Sequence, residues 1–397
     1  MTSGHYGTGI FTQSGGTNAV TNNLYIGHYS GVNGAYTLSG GTLNVTGNIV
    51  NGAGTGTLNI NGGTLTVGGG NGSIDVDSLY LGSATGTSGS HTLSGTGSLS
   101  TNNEYIGFYG TGAFTQSSGK NTVTNALYIG SNSGGSGIYD QSGGTTQVSS
   151  LFLGYNSGGS GTYDLSGTGS LSADYEYIGW HGTGAFTQSG GTTQVSILFL
   201  GYNTGGKGTY NLSGTGSLAA DYEYIGDYGG TGGFTQSGGM NQVTNRLYLG
   251  SYSGASGTYD LSTGSLSANY EFIGDYGMGA FTQTGGTNAV TNNLYLGFNS
   301  GGSGTYDLSG TGSLNANVEN IGHSGTGAFT QTGGSNTVTY ILTLAKYPGA
   351  TGTYQLQGGN LSAATIQVHP GGTFDFTGGR LSVNTFNGDL TNGGGTL

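Results

Sequence analysis

The sequence predicts an all-β fold, a single parallel β-solenoid (β-helix) with about 24 residues in each coil, a period in the range of known solenoid repeats. A repeated decapeptide is the first observation: GTGAFTQSGG recurs in close copies that begin at Gly7, Gly110, Gly182, Gly230, Gly277 and Gly325. Second, glycine-rich corners separate short segments rich in Thr, Tyr, Phe, Val and Ile, which favour strands. Third, a unit of this size cannot bury a core alone, so successive units must stack.

Composition narrows the classes of protein that remain. The 397 residues include 91 Gly and no Cys, and charged residues make up 6% of the chain, with a net charge of −12. The absence of cysteine excludes a disulfide framework and a thiolate metal site. Five scattered cations form no basic footprint, so no nucleic-acid partner is expected. No apolar run of about 18 residues is present, so no membrane insertion is expected.

The repeat is aligned on the residue that follows each G-x-G turn. Successive aligned positions are mostly separated by one regular period, but the step from Leu58 to His91 is clearly longer, which predicts an irregular coil near 59–90. We predict one continuous solenoid over 1–397, with variant coils at 345–397. The aligned positions are Phe11, Tyr36, Leu58, His91, Phe114, Tyr139, Tyr163, Phe186, Tyr210, Phe234, Tyr259, Phe281, Tyr306, Phe329, Tyr354 and Phe374.

Each coil is predicted to contain three short strands. The first carries the aromatic residue, the second a Val or Leu, and the third the motif LYIG or EYIG. Each strand should pair in parallel with its copy in the next coil, about 4.8 Å away. A right-handed solenoid is expected, because right-handed crossovers are the strong default for parallel strands. Two coil types, one with Phe and one with Tyr, alternate along much of the chain.

Four rows of side chains are predicted to face inward. They are the aromatic row, an aliphatic row in the third strand, a row that alternates Gln with Leu, and a Val/Leu row in the second strand. The Gln row includes Gln116, Gln188, Gln236, Gln283 and Gln331, and the Val/Leu row includes Val243, Leu266, Val290 and Leu314. A ladder of polar groups should supply the hydrogen-bond partners that inward Gln amides need.

Strand alternation places the residue before each third-strand aliphatic on the outer surface. This candidate surface stripe is Tyr105, Tyr128, Phe152, Tyr177, Phe199, Tyr224, Tyr248, Phe272 and Tyr295, with Tyr25 and Tyr80 earlier in the same row. Strict alternation would bury Glu176 and Glu223, which directly precede stripe residues, and a corner between each Glu and its Tyr would avoid this. The alternative interpretation is that the Tyr residues belong to the core.

Acidic residues are the only plausible catalysts in the chain. Glu residues recur at one position of the Tyr-type coil: Glu104, Glu176, Glu223, Glu271 and Glu319. A glycosidase needs one distinctive pair of carboxylates in a cleft, so this repetition argues against an enzyme. No catalytic residue, cofactor or metal site is predicted, because calcium-loop motifs are missing and the six His never cluster within a coil.

Stretches such as GTGAFTQSGGTNAVTNNLYLG, together with the C-terminal sequence GGTFDFTGGRLSVNTFNGDLTNGGGTL at 371–397, show a family resemblance. They resemble the β-helical repeats of autotransporter passengers and of large exported proteins with PEP-CTERM sorting tails. The resemblance implies a surface or matrix rod that is used for adhesion, spacing or assembly. It implies no particular activity.

Two functional hypotheses follow. The first is a secreted structural protein of the cell surface or matrix, a rod that assembles head-to-tail with copies of itself into filaments or forms an adhesin stalk. The expected partner is a second copy of the chain, bound head-to-tail or laterally. A Cys-free, Lys-poor composition rich in Gly, Ser, Thr and Asn supports secretion, and uncapped strand edges would favour stacking. The alternative is a carbohydrate-binding, or polysaccharide-degrading, β-helix that uses the aromatic stripe to bind glycans.

Overall fold

The computed structural model describes residues 1–389 and 391–392, and in these the chain is all-β apart from one 3₁₀ turn at Gly68–Gly70. Contacts divide the chain into two compact units, Met1–Gln194 and Val195–Leu397, which are considered separately below. The single continuous solenoid over 1–397 stays a prediction. Of the predicted variant coils at 345–397, residues 390 and 393–397 lie outside the described residues.

Short strands follow one another through the first unit. They are β1 (Thr2–Ser3), β2 (Gly9–Gln13), β3 (Thr17–Val20), β4 (Leu24–Ile26), β5 (Asn33–Leu38), β6 (Thr42–Val45), β7 (Ile49–Asn51), β8 (Thr55–Ile60), β9 (Thr64–Val67), β10 (Ser73–Leu81), β11 (Ser88–Leu93), β12 (Ser98–Ile106), β13 (Thr111–Gln116), β14 (Lys120–Ile129), β15 (Ser136–Gln141), β16 (Thr145–Leu153), β17 (Ser160–Leu165), β18 (Ser170–Ile178), β19 (Thr183–Gln188) and β20 (Thr192–Leu200), which runs into the second unit.

The second unit continues in the same manner. Its strands are β21 (Lys207–Leu212), β22 (Ser217–Ile225), β23 (Thr231–Leu249), β24 (Ser256–Ile273), β25 (Met278–Gln283), β26 (Thr287–Leu296), β27 (Ser303–Leu308), β28 (Ser313–Ile321), β29 (Thr326–Gln331), β30 (Ser335–Leu344), β31 (Thr351–Leu356), β32 (Asn360–Val368), β33 (Gly372–Phe376), β34 (Arg380–Asn387) and β35 (Thr391–Asn392). No helix in the described part of the chain is long and apolar enough to cross a membrane.

Strand pairing confirms a parallel β-solenoid in each unit. In the first unit Phe114 of β13 is the register partner of Tyr139 in β15, and both strands run in the same direction. In the second unit Tyr259 of β24 is aligned in the same way with Phe281 of β25. In these coils the aromatic residue therefore lies directly over the aromatic residue of the neighbouring coil. The hand of the solenoid stays a prediction.

The number of separate strands in a coil varies along the chain. The first coil has three, β2, β3 and β4, whereas in most later coils the second and third predicted strands join into one. The joined strand bends, as the consecutive exposed residues Asp174 and Tyr175 of β18 show. Successive coils bend at the same place, and in many of them the pairing register shifts at this corner, as between Val123 and Ala126 and between Ala268 and Tyr270.

The stacking order changes within the segment 59–90. Leu58 of β8 is aligned with Leu79 in the second half of β10, and Ile49 of β7 is aligned with Ile74 in its first half. Strand β9 pairs only with β6 and ends a separate three-stranded sheet, β3-β6-β9. The longer repeat step thus supplies one extra strand. As a result, the first half of β10 stacks on a third-strand segment, β7, and its second half stacks on a first-strand segment, β8. From β10 onward each of the three strand types therefore lies on a different face of the solenoid from before.

All four predicted inward rows are buried as expected, apart from the half-buried His91 and the more exposed Phe11 in the aromatic row. The aromatic row is almost wholly inaccessible, although Phe11 in the first coil keeps 37% exposure, and Gln116 and Gln283 are fully buried. The Val and Leu residues of the fourth row face inward, but their predicted alignment with one another is wrong, because Leu266 is aligned with Asn288 and Val290 is aligned with Ala268. A shift of two residues leaves every side chain on the same face of a strand, so alternation alone could not detect it.

Candidate functional site

The predicted surface stripe is a ladder of stacked rings in the first unit. Tyr105 and Tyr128 have ring centroids 4.9 Å apart and planes within 3°, and Phe152 and Tyr177 have centroids 5.0 Å apart within 7°. Tyr80 precedes them in the same stack, 4.5 Å from Tyr105. The backbone register explains this geometry, since parallel pairing holds equivalent residues one strand spacing apart.

The second unit carries an equivalent ladder. Phe199 and Tyr224 are 5.0 Å apart, Tyr224 and Tyr248 are 4.9 Å apart, and Phe272 and Tyr295 are 4.9 Å apart, all in stacked geometry. Tyr248 and Phe272 close the gap between them at 4.8 Å. The ladder ends where Tyr295 is aligned with an asparagine, Asn320, in the next coil.

The stripe points outward but exposes little ring surface. Seven of its nine residues are half-buried, and Tyr248 and Phe272 are buried at 9% and 7% exposure. Because each ring face lies against the ring of the next coil, the ladder presents mainly ring edges to solvent. A sugar packs on a ring face, so a regular stretch of this ladder is a poor sugar platform.

A second set of aromatic residues covers the ladder from the adjacent corner. Phe108 makes edge contacts with Tyr80 and Tyr105 at 5.3 and 5.1 Å, and in the second unit Phe298 makes edge contacts with Phe272 and Tyr295 at 5.0 and 4.7 Å. These residues directly follow the glycine that ends the third-strand motif. They close the sides of the ladder where they occur.

The corner is not aromatic everywhere. In three successive coils of the second unit the corner residues are Asp227, Ser251 and Asp275. Beside them is an open cavity of about 480 Å³, which we call the tyrosine notch. Its principal lining residues are Tyr224, Tyr248, Ser251, Tyr252, Asp275 and Tyr276.

The repeated glutamates lie inside the coils, which corrects the expectation that a corner would keep them outside. Glu104, Glu176, Glu223, Glu271 and Glu319 all have 0% exposure. In β18 the corner falls at Asp174 and Tyr175, before Glu176 rather than after it, so Glu176 points inward and Tyr177 outward. Strict alternation of the third strand is thus kept, and the carboxyl groups are buried as a result.

Each buried carboxyl group in four of these coils joins a polar chain that crosses the interior. Asn288 donates from Nδ2 to Glu271 Oε2 at 3.1 Å and to the Tyr306 hydroxyl at 3.3 Å. Tyr306 donates to Gln283 Oε1 at 2.6 Å, and Gln283 Nε2 donates to main-chain carbonyl groups. The same arrangement recurs in Glu104–Asn121–Tyr139–Gln116, Glu223–Asn241–Tyr259–Gln236 and Glu319–Asn336–Tyr354–Gln331.

Burial dominates the ionisation of these carboxyl groups. It raises the pKa of Glu104 to about 7 and the pKa of Glu223, Glu271 and Glu319 to about 8, while the hydrogen bond from Asn opposes the shift only in part. In all four, Oε1 has no hydrogen-bond partner among the residues that the structure describes. A protonated, inaccessible carboxyl group can hold a proton and stabilise a network, but it cannot reach a polysaccharide.

Sequence reasoning missed the asparagines of this network. Asn121, Asn241, Asn288 and Asn336 were hidden because the Val/Leu row was aligned two residues away. One sequence signal for them was available. In all four cases the Asn stands two residues before the Val of a Phe-type coil, as in NAV, NTV and NQV, and the preceding coil ends in a motif that contains the Glu.

The described residues contain no group of three or more His, Cys, Asp or Glu side chains that could hold a metal ion.

Comparison of the chain with protein-family models, with curated proteins and with solved structures found no match. The geometry of the ladder, the interior network and the tyrosine notch therefore has to support any functional proposal on its own.

Proposed function

We propose that this chain is an extracellular structural β-solenoid, a rod-like surface or matrix protein that assembles head-to-tail with copies of itself or forms the stalk of an adhesin. The packing of the aromatic ladder carries this proposal. Rings that stack on each other at 4.8 to 5.0 Å in coil after coil of the second unit stabilise a regular wall. Each additional coil adds further stacking contacts with its neighbours, so the stability of the solenoid increases with the number of repeats, as a structural scaffold requires.

The first coil supports self-association. Ile10 is 75% exposed and Tyr6 is 82% exposed, and Phe11 stacks on Tyr36 with one face only, at 5.0 Å. In the next coil the aromatic equivalent, Tyr36, is fully buried. Another coil laid on this edge would cover the open face of Phe11 and pair with the free strand edge. A second copy of the chain is the occupant that we propose.

Electron microscopy and sedimentation of the purified protein test this proposal. We expect filaments whose length grows with protein concentration, and an Ile10→Lys substitution should shorten them by placing a charge in the new contact. Ile138→Lys is the matched control, because Ile138 occupies the same strand position in an internal coil and is already 43% exposed. Filaments that are equally short or equally long in both variants would count against the edge contact, and a monomer at every concentration against assembly itself.

Export can be tested separately from assembly. We propose an extracellular location because the composition and the resemblance to exported solenoids favour it. Antibody labelling of intact source cells should detect the protein without permeabilisation. Labelling only after permeabilisation would refute the proposed location and leave the filament test unaffected.

Carbohydrate binding is the alternative function, and the tyrosine notch favours it. There the ladder lacks its aromatic cover and a cavity opens beside a carboxyl group, Asp275. Cleavage of a polysaccharide receives no such support, since the five repeated glutamates are inaccessible inside the coils. A glycan array probed with the wild type and with Tyr177→Ala and Tyr224→Ala variants tests the alternative. Of these two tyrosines Tyr224 lines the notch and Tyr177 does not, so only the Tyr224→Ala variant should lose binding.

A further inference from the structure

The tyrosine notch exists because three corners of the repeat lack an aromatic side chain. In the second unit Tyr202 covers Phe199 in edge contact at 4.9 Å, and Phe298 covers Tyr295 at 4.7 Å. The intervening corners carry Asp227, Ser251 and Asp275. The edges of Tyr224 and Tyr248 consequently line a cavity of about 480 Å³, within the range of small-ligand sites.

Two further tyrosines form the sides of the notch. Tyr252 is 43% exposed and stacks through one face on Tyr228, with ring centroids 4.1 Å apart. Tyr276 is 49% exposed. Tyr228 itself has a φ of +43°, a strained value for a bulky residue, and strain of this kind concentrates at binding sites. The notch thus offers phenol rings on its sides as well as ring edges and hydroxyl groups on its floor.

Charged groups of both signs lie near the notch. Asp275 lines it, accepts a hydrogen bond from Asn299 Nδ2 at 2.6 Å, and has a pKa that burial raises. Arg246 donates to the Tyr248 hydroxyl at 3.1 Å and interacts favourably with the Asp275 carboxylate. An acid at the notch whose charge is offset by a nearby Arg favours a neutral ligand that carries both hydrogen-bond donors and acceptors. The Ser251 side chain adds a hydroxyl group at the same place.

We propose that the tyrosine notch binds one or two units of a neutral sugar chain, with the apolar face of a sugar ring on Tyr252 and its hydroxyl groups directed to Asp275 and Ser251. Aromatic rings beside a few polar groups match the mixed surface of a sugar, which has apolar C–H faces and a polar rim. This inference rests on the carbohydrate-binding alternative and names the site that it would use. It is independent of the filament contact at Ile10.

Calorimetric titration of the full chain with neutral tetrasaccharides tests the proposal. The probes are cellotetraose, maltotetraose, xylotetraose and chitotetraose, each taken to about 1 mM, where weak carbohydrate binding is detectable. Ser251→Phe is the decisive variant, because it restores the corner aromatic that Phe298 provides elsewhere and should fill the notch. Tyr252→Ala removes the exposed ring, and Tyr340→Ala is the control, since Tyr340 is 62% exposed in the same unit but does not line the notch.

We expect the wild type to bind at least one probe, and both notch variants to lose affinity by about tenfold or more. The Tyr340→Ala variant should bind like the wild type, and circular dichroism should show the same β-sheet content in all proteins. The absence of binding by the wild type would overturn the inference, as would equal affinity of the wild type and Ser251→Phe. Neither result would bear on the proposal that the chain assembles head-to-tail, which is tested separately by filament length.

Discussion

The buried glutamates make the stability of the solenoid depend on pH, and Glu271→Gln is the sharpest test. Glu271 is inaccessible and accepts a hydrogen bond from Asn288. A glutamine has nearly the same shape, keeps a carbonyl oxygen for that hydrogen bond and cannot ionise. The substitution therefore removes the titration of the side chain and leaves its packing in place.

The expected size follows from the two pKa values of Glu271. Its pKa is about 8 in the folded chain, against 4.5 for an unperturbed glutamate. Since the folded state holds the proton more tightly, this group contributes stability that is fully present below pH 4.5 and is lost as the pH rises through about 8. Each pKa unit corresponds to about 1.4 kcal/mol, so the loss is roughly 3–5 kcal/mol for this one side chain.

The assay is guanidinium unfolding followed by far-ultraviolet circular dichroism, at about pH 5 and about pH 9, on either side of most of the transition. The wild type should lose stability between the two conditions, and the Glu271→Gln variant should lose roughly 3–5 kcal/mol less. Asp260→Asn is the control, because Asp260 is an exposed acid of the same unit. Infrared spectroscopy adds a direct measurement, since the band of protonated carboxyl groups near neutral pH should be weaker in the Glu271→Gln variant.

An equal loss of stability by the wild type and Glu271→Gln between the two conditions would contradict a protonated Glu271 in the folded chain. An unchanged infrared band would lead to the same conclusion. Either result would mean that Glu271 is ionised in the folded chain, so that the network with Asn288 and Tyr306 holds a carboxylate rather than a carboxylic acid.

Two further predictions concern the corners and the register. Gly274→Ala should lower the unfolding midpoint far more than Gly301→Ala. Both glycines have positive φ, so both substitutions strain the backbone. At Gly274 the new Cβ would also lie 2.0 Å from a backbone oxygen, whereas at Gly301 no atom of the described residues lies within 4 Å of it. Equal losses would show that backbone strain alone decides the cost. In this Cys-free chain, Ser267→Cys with Ala289→Cys should form a disulfide on mild oxidation, as partners in register, and Ser265→Cys with Ala289→Cys should not. Mass spectrometry would detect the bond, and cross-linking of the second pair alone would contradict the register.

Much of the fold could be predicted from the repeat because its period and alternation are strong signals. The aromatic row and the buried Gln116 and Gln283 follow from a strand that alternates its faces. The alignment of Leu266 with Val290 was wrong for the same reason, since a slip of two residues preserves the alternation. The change in which strands stack on one another within 59–90 was visible in the sequence only as a longer interval between two repeats.

The candidate sites were less accessible to sequence reasoning. The outward direction of the stripe was predictable, but the mutual stacking of Tyr105 and Tyr128 depends on parallel coils that hold equal residues one strand spacing apart. The tyrosine notch forms because Ser251 and Asp275 are too small to cover the rings of Tyr224 and Tyr248. The absence of a covering side chain produces no recognisable sequence motif.

The all-β class, the length of the coil and the inward aromatic row could be inferred from the amino-acid sequence, because these features follow from local spacing and from the glycine corners. The structure was needed to show that the glutamates lie inside, that asparagines of the next coil bind four of them, and that the outer rings cover one another. These features depend on contacts between residues of successive coils, such as Glu271 and Asn288. Their partners are selected by the stacking register, which the repeat pattern leaves open by steps of two residues.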